Sequence, residues 1–413
     1  MAYKKTISAS IALAAVWIGG VAQVHAAHPE QDEVRALVAE MLADAQSRSS
    51  LLQSSATAGH DGHFFLSSAD GDFKLNITGQ VQFRYLLNFR DEAPGIDDFT
   101  PGFQTRRTKL KFSGQVFQDI FYKVNGAFSK SSGVFALEDA YVGMKLDDGW
   151  KIRWGQFKEG FLREELVSSS RQLLVDRSMT NEVFNQGRSQ GVEADYKNDQ
   201  FHFTGSFSDG FRSKNTDLGA SPADWSFTAR GEYLIAGDWK QFKDFTSARG
   251  SEQAMMLGAA AHYEMAPDIS GPAEAETFSY TVDFSYEDDG WNAYAAFIGQ
   301  NITDAGNVPG VDNDTYGLVV QGGVYVADDW ELFARFDEFF NDNSVGDDFS
   351  TVSFGVNDYI HGHAAKFTLD AQWYLDDVTG TGGAIGANTG IGHLGNGAND
   401  GEVVIRAQFQ LLF

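Results

Sequence analysis

Cysteine is absent from the 413 residues, and proline is scarce at seven. Without cysteine there is no disulfide scaffold and no thiolate-held metal site. Long apolar runs are missing too. After the first 26 residues no segment approaches the roughly 18 to 20 consecutive apolar residues that a spanning helix needs. Phe (34) and Gly (44) are plentiful, and 57 acidic residues against 31 basic ones give a net charge of −26. Abundant Phe and Gly with little Pro favours many strands over helices.

Residues 1–26 read as a secretory signal. Lys4 and Lys5 form a basic start, Ile7 to Val16 an apolar stretch, and Val24-His25-Ala26 a cleavage site. A membrane anchor is the weaker reading, because the stretch is short and Gly19-Gly20 ends it. Cleavage leaves 29 basic and 57 acidic residues, a net −28. An exported chain without a spanning helix is either soluble or a closed barrel, because only helices and closed barrels satisfy every backbone group in lipid.

Alternation decides between these. Over 72–90 the odd positions include Phe73, Leu75, Ile77, Val81, Phe83, Tyr85, Leu87 and Phe89. The even positions include Lys74, Asn76, Thr78, Gln80, Gln82, Arg84 and Asn88. Successive strand side chains point to opposite faces, so one face is apolar and the other polar. The run far exceeds the roughly 5 to 6 residues of an ordinary strand. The last strand repeats the pattern: Val403, Ile405, Ala407, Phe409, Leu411 and Phe413 share one face, and the chain stops on the outward Phe413. The terminal Phe413, with Leu411 and Phe409 before it, looks like the assembly signal of bacterial outer-membrane barrels.

Strands are predicted at 72–90, 103–117, 121–130, 135–146, 150–157, 188–197, 200–209, 225–234, 254–264, 275–287, 291–301, 314–326, 329–338, 348–358, 363–377 and 401–413. That makes an all-β, sixteen-stranded antiparallel transmembrane barrel over 72–413, an even number as single-chain bacterial barrels require. Short turns alternate with long loops, again as expected. The connection 235–253 breaks this rule: it lies on the short-turn side yet runs long. Residues 27–71 precede the barrel. Val34, Leu37, Met41 and Ala45 recur at spacings of three and four, predicting a short periplasmic amphipathic helix over 29–55. A coiled coil and a lone helix both fit this pattern. Residues 56–71 read as linker, and Gly380 to Gly401 as a mobile outer loop.

From residue 103 onward the sequence resembles the phosphate-selective porin O and P family. The resemblance is carried by Phe103-Gln-Thr-Arg106-Arg107-Thr-Lys109-Leu-Lys111-Phe-Ser-Gly114. It continues in Asp139-Ala-Tyr141, Gly155-Gln-Phe-Lys158, Phe161, Glu164-Glu165-Leu166, Ser168-Ser169, Asp176-Arg177 and Gly187-Arg188. It spans most of 72–200 and the last strand. The resemblance implies a homotrimer whose third loop, here 158–187, folds into the barrel and narrows it. It places constriction cations at Arg106, Arg107 and Arg177, with an acidic partner near Glu138 or Asp139. Two positions depart: Gln80 and Glu165 stand where the best-known members carry cations.

Alternation alone assigns lumen-facing cations to Lys74, Arg84, Arg107, Lys109, Lys111, Lys151, Arg153, Arg230, Arg335, Lys366 and Arg406; Lys158, in the stretch that carries the resemblance, is expected to line the pore as well. Alternation assigns lumen-facing acids to Asp139, Glu232, Asp337 and Asp370. Parity puts Arg106 on the outer face, against the resemblance. Residues 72–160 hold 13 basic and 11 acidic side chains, while 161–413 hold 14 and 39. The first five strands are therefore the only stretch that is not strongly acidic. A basic wall in a confined pore concentrates anions.

These observations predict an outer-membrane porin, exported through the secretory route, that passes small hydrophilic solutes with a preference for anions. Its expected partners are outer-membrane lipid, the barrel assembly machinery and further copies of itself, with no nucleic acid, cofactor or metal. No nucleophile elbow, metal-ligand spacing or phosphate-binding glycine loop is found, so no catalysis is expected. A weakly selective general porin, a tether between outer membrane and cell wall, and a secreted soluble β-sandwich enzyme or lectin are the alternatives.

Overall fold

A computed structural model describes residues 36, 38–42, 57–91, 97–267, 274–305, 308, 310–342, 348–378, 389–394 and 401–413. The chain divides into two units, Met1–Ser55 and Ala56–Phe413. In the first, the described residues are Ala36 and 38–42, all helical. That is little more than one turn of the helix predicted over 29–55; the rest of that prediction, like the predicted signal, lies outside the described residues.

The second unit is a closed antiparallel barrel. A hairpin of β1 (Thr57–His60) and β2 (Phe64–Ser67) leads into β3 (Phe73–Phe89). There follow β4 (Phe99–Val116), β5 (Ile120–Phe128), β6 (Phe135–Lys145), β7 (Trp150–Phe157) and β8 (Ser189–Lys197). Next come β9 (Phe201–Ser208), β10 (Trp225–Ala236), β11 (Ala254–Met265), β12 (Glu276–Asp288) and β13 (Trp291–Thr303). The last five are β14 (Asn313–Tyr325), β15 (Trp330–Asn341), β16 (Phe349–His363), β17 (Ala365–Tyr374) and β18 (Val403–Leu412). Each strand from β3 onward pairs with its sequence neighbour, and β18 pairs with β3 from Val403↔Phe89 to Leu412↔Gln80, closing sixteen strands. Closure leaves no edge, which is what lipid demands.

The hairpin corrects the reading of 56–71 as linker. β2 pairs with β3 at Phe64↔Ile77 to Ser67↔Lys74, just beyond the point where β18 ends. The seventeen-residue β3 is thus covered along one edge by the C-terminal strand and then by the N-terminal hairpin.

Tight reversals are built from Asp and Gly. Asp148 and Gly149 sit at φ 57° and 85°, the left-handed geometry a two-residue antiparallel reversal takes. Outward aromatics pair near both barrel ends: Trp150 with Tyr196 and Phe201 with Tyr233 at the turn end, Phe89 with Phe99 and Phe207 with Phe227 at the loop end. Such girdles mark the two membrane interfaces.

Inside, the barrel is crowded by three segments. Segment 158–187 carries α1 (Arg163–Leu166) and α2 (Met179–Phe184). Phe161, Leu162, Met179 and Phe184 pack with the wall residues Ile298, Phe339, Tyr374 and Val404 in one buried apolar cluster. Val167, Leu173 and Leu174 join Phe245, Tyr294 and Phe333 in a second. The long connection 237–253 supplies that Phe245 and the buried Phe242, so it too turns inward. The described residues 389–394 are also against the wall, with Ile391 and His393 buried. This corrects their reading as part of a mobile outer loop.

Candidate functional site

Segment 158–187 is held by charge as well as by apolar packing. Ser178 caps α2 and accepts from Asn181 N at 2.9 Å. Asp337 of β15 accepts from the first two amides of α2, Met179 N at 2.9 Å and Thr180 N at 3.2 Å. An N-terminal turn points free N–H groups outward, and a carboxylate is the natural partner. Arg335 and Lys366 donate to loop carbonyls of Asp176, Arg177 and Gln172 at 2.9–3.2 Å. These two wall cations thus brace the loop.

Asp176 is the loop's main electrostatic anchor. Arg84 meets it at 2.5 Å, Arg107 at 2.8 Å and Arg106 at 3.0 Å, with Arg406 at 3.8 Å. Arg406 is shared with Asp370 at 2.7 Å. Burial alone would raise the Asp176 carboxyl, but Arg106, Arg84, Arg107 and Arg406 outweigh it and hold it well below the usual carboxylate range. The layering matters. The Asp176 side chain has no exposure, whereas Arg106 keeps 13% and Arg107 11%. The lumen therefore meets guanidinium, and the carboxylate lies beneath.

A second cluster adjoins it. Lys109 pairs with Glu138 at 2.7 Å, Lys123 with Asp139 at 2.7 Å, and Arg188 with both acids, at 3.3 and 2.9 Å. Three cations thus share two carboxylates.

Two β-bulges create these clusters. On β4 the register runs Arg107↔Gln82 and then Thr105↔Phe83, leaving Arg106 as the extra residue. On β5–β6 it runs Asn125↔Asp139 and then Gly126↔Leu137, leaving Glu138 extra. A bulge re-aims a side chain without ending the pairing. Both members of Arg106-Arg107 and of Glu138-Asp139 then face inward, correcting the parity reading of Arg106.

The other residues singled out from the sequence fall in several places. Arg153 pairs with Glu193 at 2.7 Å and Lys151 with Asp195 at 3.7 Å, toward the turn end. Lys74 stands 5.0 Å from the Phe65 ring of the hairpin. Lys111 lies half-buried beside the second cluster. Lys158 and Arg177 differ from expectation. Lys158 is paired with Glu165, and Arg177 donates to the carbonyls of Glu164, Glu165 and Val167 at 2.8–3.1 Å while pairing with Glu165 at 3.1 Å. Both cations stabilise the loop internally. Burial raises the Glu165 carboxyl, yet Arg177 and Lys158 hold it at about 2. Gln80 donates to Ser169 Oγ at 3.2 Å, again holding the loop. Phe409, Leu411 and Phe413 face outward, 44–45% exposed.

Lys123 and Arg188 escaped the sequence reading as site residues. Parity on β5 would have found Lys123; Arg188 opens the predicted strand 188–197 on the parity opposite to Glu193 and Asp195 and lies just outside β8. Among the described residues no group of three or more His, Asp or Glu is arranged to hold a metal ion.

The model of the family described as phosphate-selective porin O and P matches residues 76–378, well over half of the sequence. The chain belongs to that family. It is an outer-membrane porin, a channel-forming barrel of the bacterial outer membrane. No curated protein matches it in sequence. Solved porins share its fold. The anion-selective porin from Comamonas acidovorans is 14% identical, with a TM-score of 0.57, covering 82% of this porin and 99% of that chain. The outer membrane channel DcaP of Acinetobacter baumannii is 14% identical, with a TM-score of 0.56, covering 84% and 99%. The trimer form of OmpT, an outer membrane protein of Vibrio cholerae, is 14% identical, with a TM-score of 0.55, covering 82% and 99%.

Proposed function

We propose that this porin passes small hydrophilic solutes with a preference for anions, phosphate-like ones among them, as a homotrimer and without catalysing a reaction. The observation that carries this reading is the layering at Asp176: a fully covered carboxylate beneath partly exposed Arg106 and Arg107. A solute passing the inner loop meets fixed positive charge in confined surroundings, where field lines are focused. The adjoining Lys109, Lys123 and Arg188 extend this wall toward β5. Glu165 does not oppose it, because Lys158 and Arg177 neutralise it within the loop.

The name of the Comamonas acidovorans porin supports anion preference, and the trimer form of the Vibrio cholerae protein supports a trimer. In this reading short turns face the periplasm and long loops face outward, as in other bacterial barrels. Inorganic phosphate titrated against chloride current in a planar bilayer tests the phosphate-like element. Concentration-dependent block that is relieved in Arg107→Ala supports it. Unaltered chloride current at all phosphate concentrations leaves an anion channel without phosphate affinity.

A further inference from the structure

The connection 237–253 has seventeen residues, where the β12–β13 reversal needs only Asp289 and Gly290. It is firmly tied. Thr246 donates to Glu331 at 3.0 Å, Ser247 to the Asp288 carbonyl at 2.6 Å, and Arg249 to the Tyr325 carbonyl at 3.0 Å. Asp244 pairs with Arg171 of the inner loop at 3.1 Å. The two inward segments therefore meet inside the barrel.

Their meeting point is Arg163. Its guanidinium carbon lies 5.5 Å from the Phe242 ring and 5.3 Å from the Phe245 ring, both supplied by the connection. Nε donates to Ser285 Oγ at 2.8 Å and one terminal nitrogen to the Phe242 carbonyl at 3.0 Å. These partners are neutral. Among the described residues no carboxylate pairs with Arg163, although the residue is 95% buried. A buried guanidinium held directly only by neutral dipoles and aromatic faces has no counter-charge in contact, the Glu232 and Glu287 carboxylates acting on it from beyond ion-pair distance.

Arg163 opens onto a cavity of about 830 Å³ at the turn-end mouth. Nine lysines and arginines line it against four carboxylates. Three of those acids are already engaged: Glu193 by Arg153 at 2.7 Å, Glu232 by Arg230 at 2.9 Å, and Asp195 by His202 at 2.8 Å. Asp238 accepts from the Lys240 amide at 2.7 Å. Lys240 and Lys243 make no ion pair among the described residues. The remaining lining includes the apolar Leu166, Val167 and Met256 and three aromatic rings. Trp239 is fixed through Nε1 to the Asn198 carbonyl at 2.9 Å and carries Lys197 Nζ 4.2 Å from its ring, with Phe121 and the buried Phe242 also lining the space.

From this juxtaposition we propose that the turn-end mouth is a binding site for organic anions with an aromatic or apolar body. The carboxylate or sulfonate would rest on Arg163 and Lys243, and the body against Trp239 and Phe242. An inorganic anion uses only the cations; a ring-bearing anion also gains the aromatic faces. The inference rests on the anion-preferring reading above.

The test is block of chloride current through the reconstituted porin by 2-naphthoate, with acetate and inorganic phosphate at matched concentration as references. Naphthoate blocks at far lower concentration than either reference if the site exists. Trp239→Ala and, separately, Lys243→Gln then raise its half-blocking concentration about tenfold. Heat-modifiable gel migration checks that each variant is folded. Equal block by naphthoate and acetate, with the reversal potential still on the chloride side, overturns this site alone. A reversal potential on the potassium side overturns the reading beneath it.

Discussion

Arg84 on the barrel wall and Asp176 on the inner loop, 92 positions apart in sequence, meet at 2.5 Å with both side chains fully buried. Arg106 and Arg107 share the same carboxylate. One acid therefore ties the loop to the wall and, with Arg406 at 3.8 Å, gathers four guanidiniums in a single patch.

Asp176→Asn removes the charge and leaves the guanidiniums packed together. Breaking a buried pair from one side typically costs about 3–5 kcal/mol. The variant is expected to open more widely, because the loop loses its tether to β3 and β4. Single-channel conductance rises and the temperature of the gel-mobility transition falls. Wild-type values for both would contradict the anchoring role.

Arg107→Ala and Lys109→Ala each remove a partly exposed lumen cation. Each is expected to shift the reversal potential under a salt gradient toward zero, the double variant further. Lys366→Ala is a useful contrast. That side chain is buried and donates to the Gln172 carbonyl, so its loss affects loop stability more than ion preference.

Acid sensitivity follows from Glu165. Arg177 and Lys158 overcome the effect of burial and hold its carboxyl at about 2, below the ordinary value of 4.5. A depressed folded-state value means that stabilisation is present above the unfolded value and is lost as pH falls through the folded one. The Glu165 contribution should therefore be intact above about pH 4.5 and be lost as pH falls toward 2, giving a conductance change at that acid end, while Glu164 and Glu182, whose carboxyls burial raises, titrate above it. Glu165→Gln should remove that acid step. An acid step that is unchanged in Glu165→Gln would mean that the pair does not hold the loop.

Gly79 and Phe413 exchange both backbone hydrogen bonds, at 2.6 and 3.2 Å, where the first and last barrel strands meet. The Phe413 ring lies over Gly79, so a side chain there would run into it. Gly79→Val should lower the fraction of barrel that migrates as folded on an unheated gel, as should deletion of Phe413. Normal folding of Gly79→Val would mean that the ring relocates without cost.

The sixteen strands were legible because one face of each meets lipid and the other the lumen, which imposes a period of two. Parity fails where the ladder slips, and it slipped at Arg106 and Glu138. Both slips carry a usable sign: two adjacent charged residues inside a strand cannot alternate faces without putting one charge into lipid. The connection 237–253 and residues 389–394 were not legible, because their inward packing is aperiodic. In 389–394 the glycine-rich backbone itself is the ligand. The Gly390, Ile391 and Gly392 carbonyls accept from Arg84, Arg406 and Asn88. The β1–β2 hairpin is only four residues per strand and too short for its alternation to stand out.

The reversal potential of the purified porin in a planar bilayer under a potassium chloride gradient reads its anion preference without an added ligand. A basic lumen wall gives a potential on the chloride side, reduced in Arg107→Ala. A potential on the potassium side would contradict it: the acidic loops would then govern selectivity, and the guanidiniums around Asp176 would serve only to hold the loop.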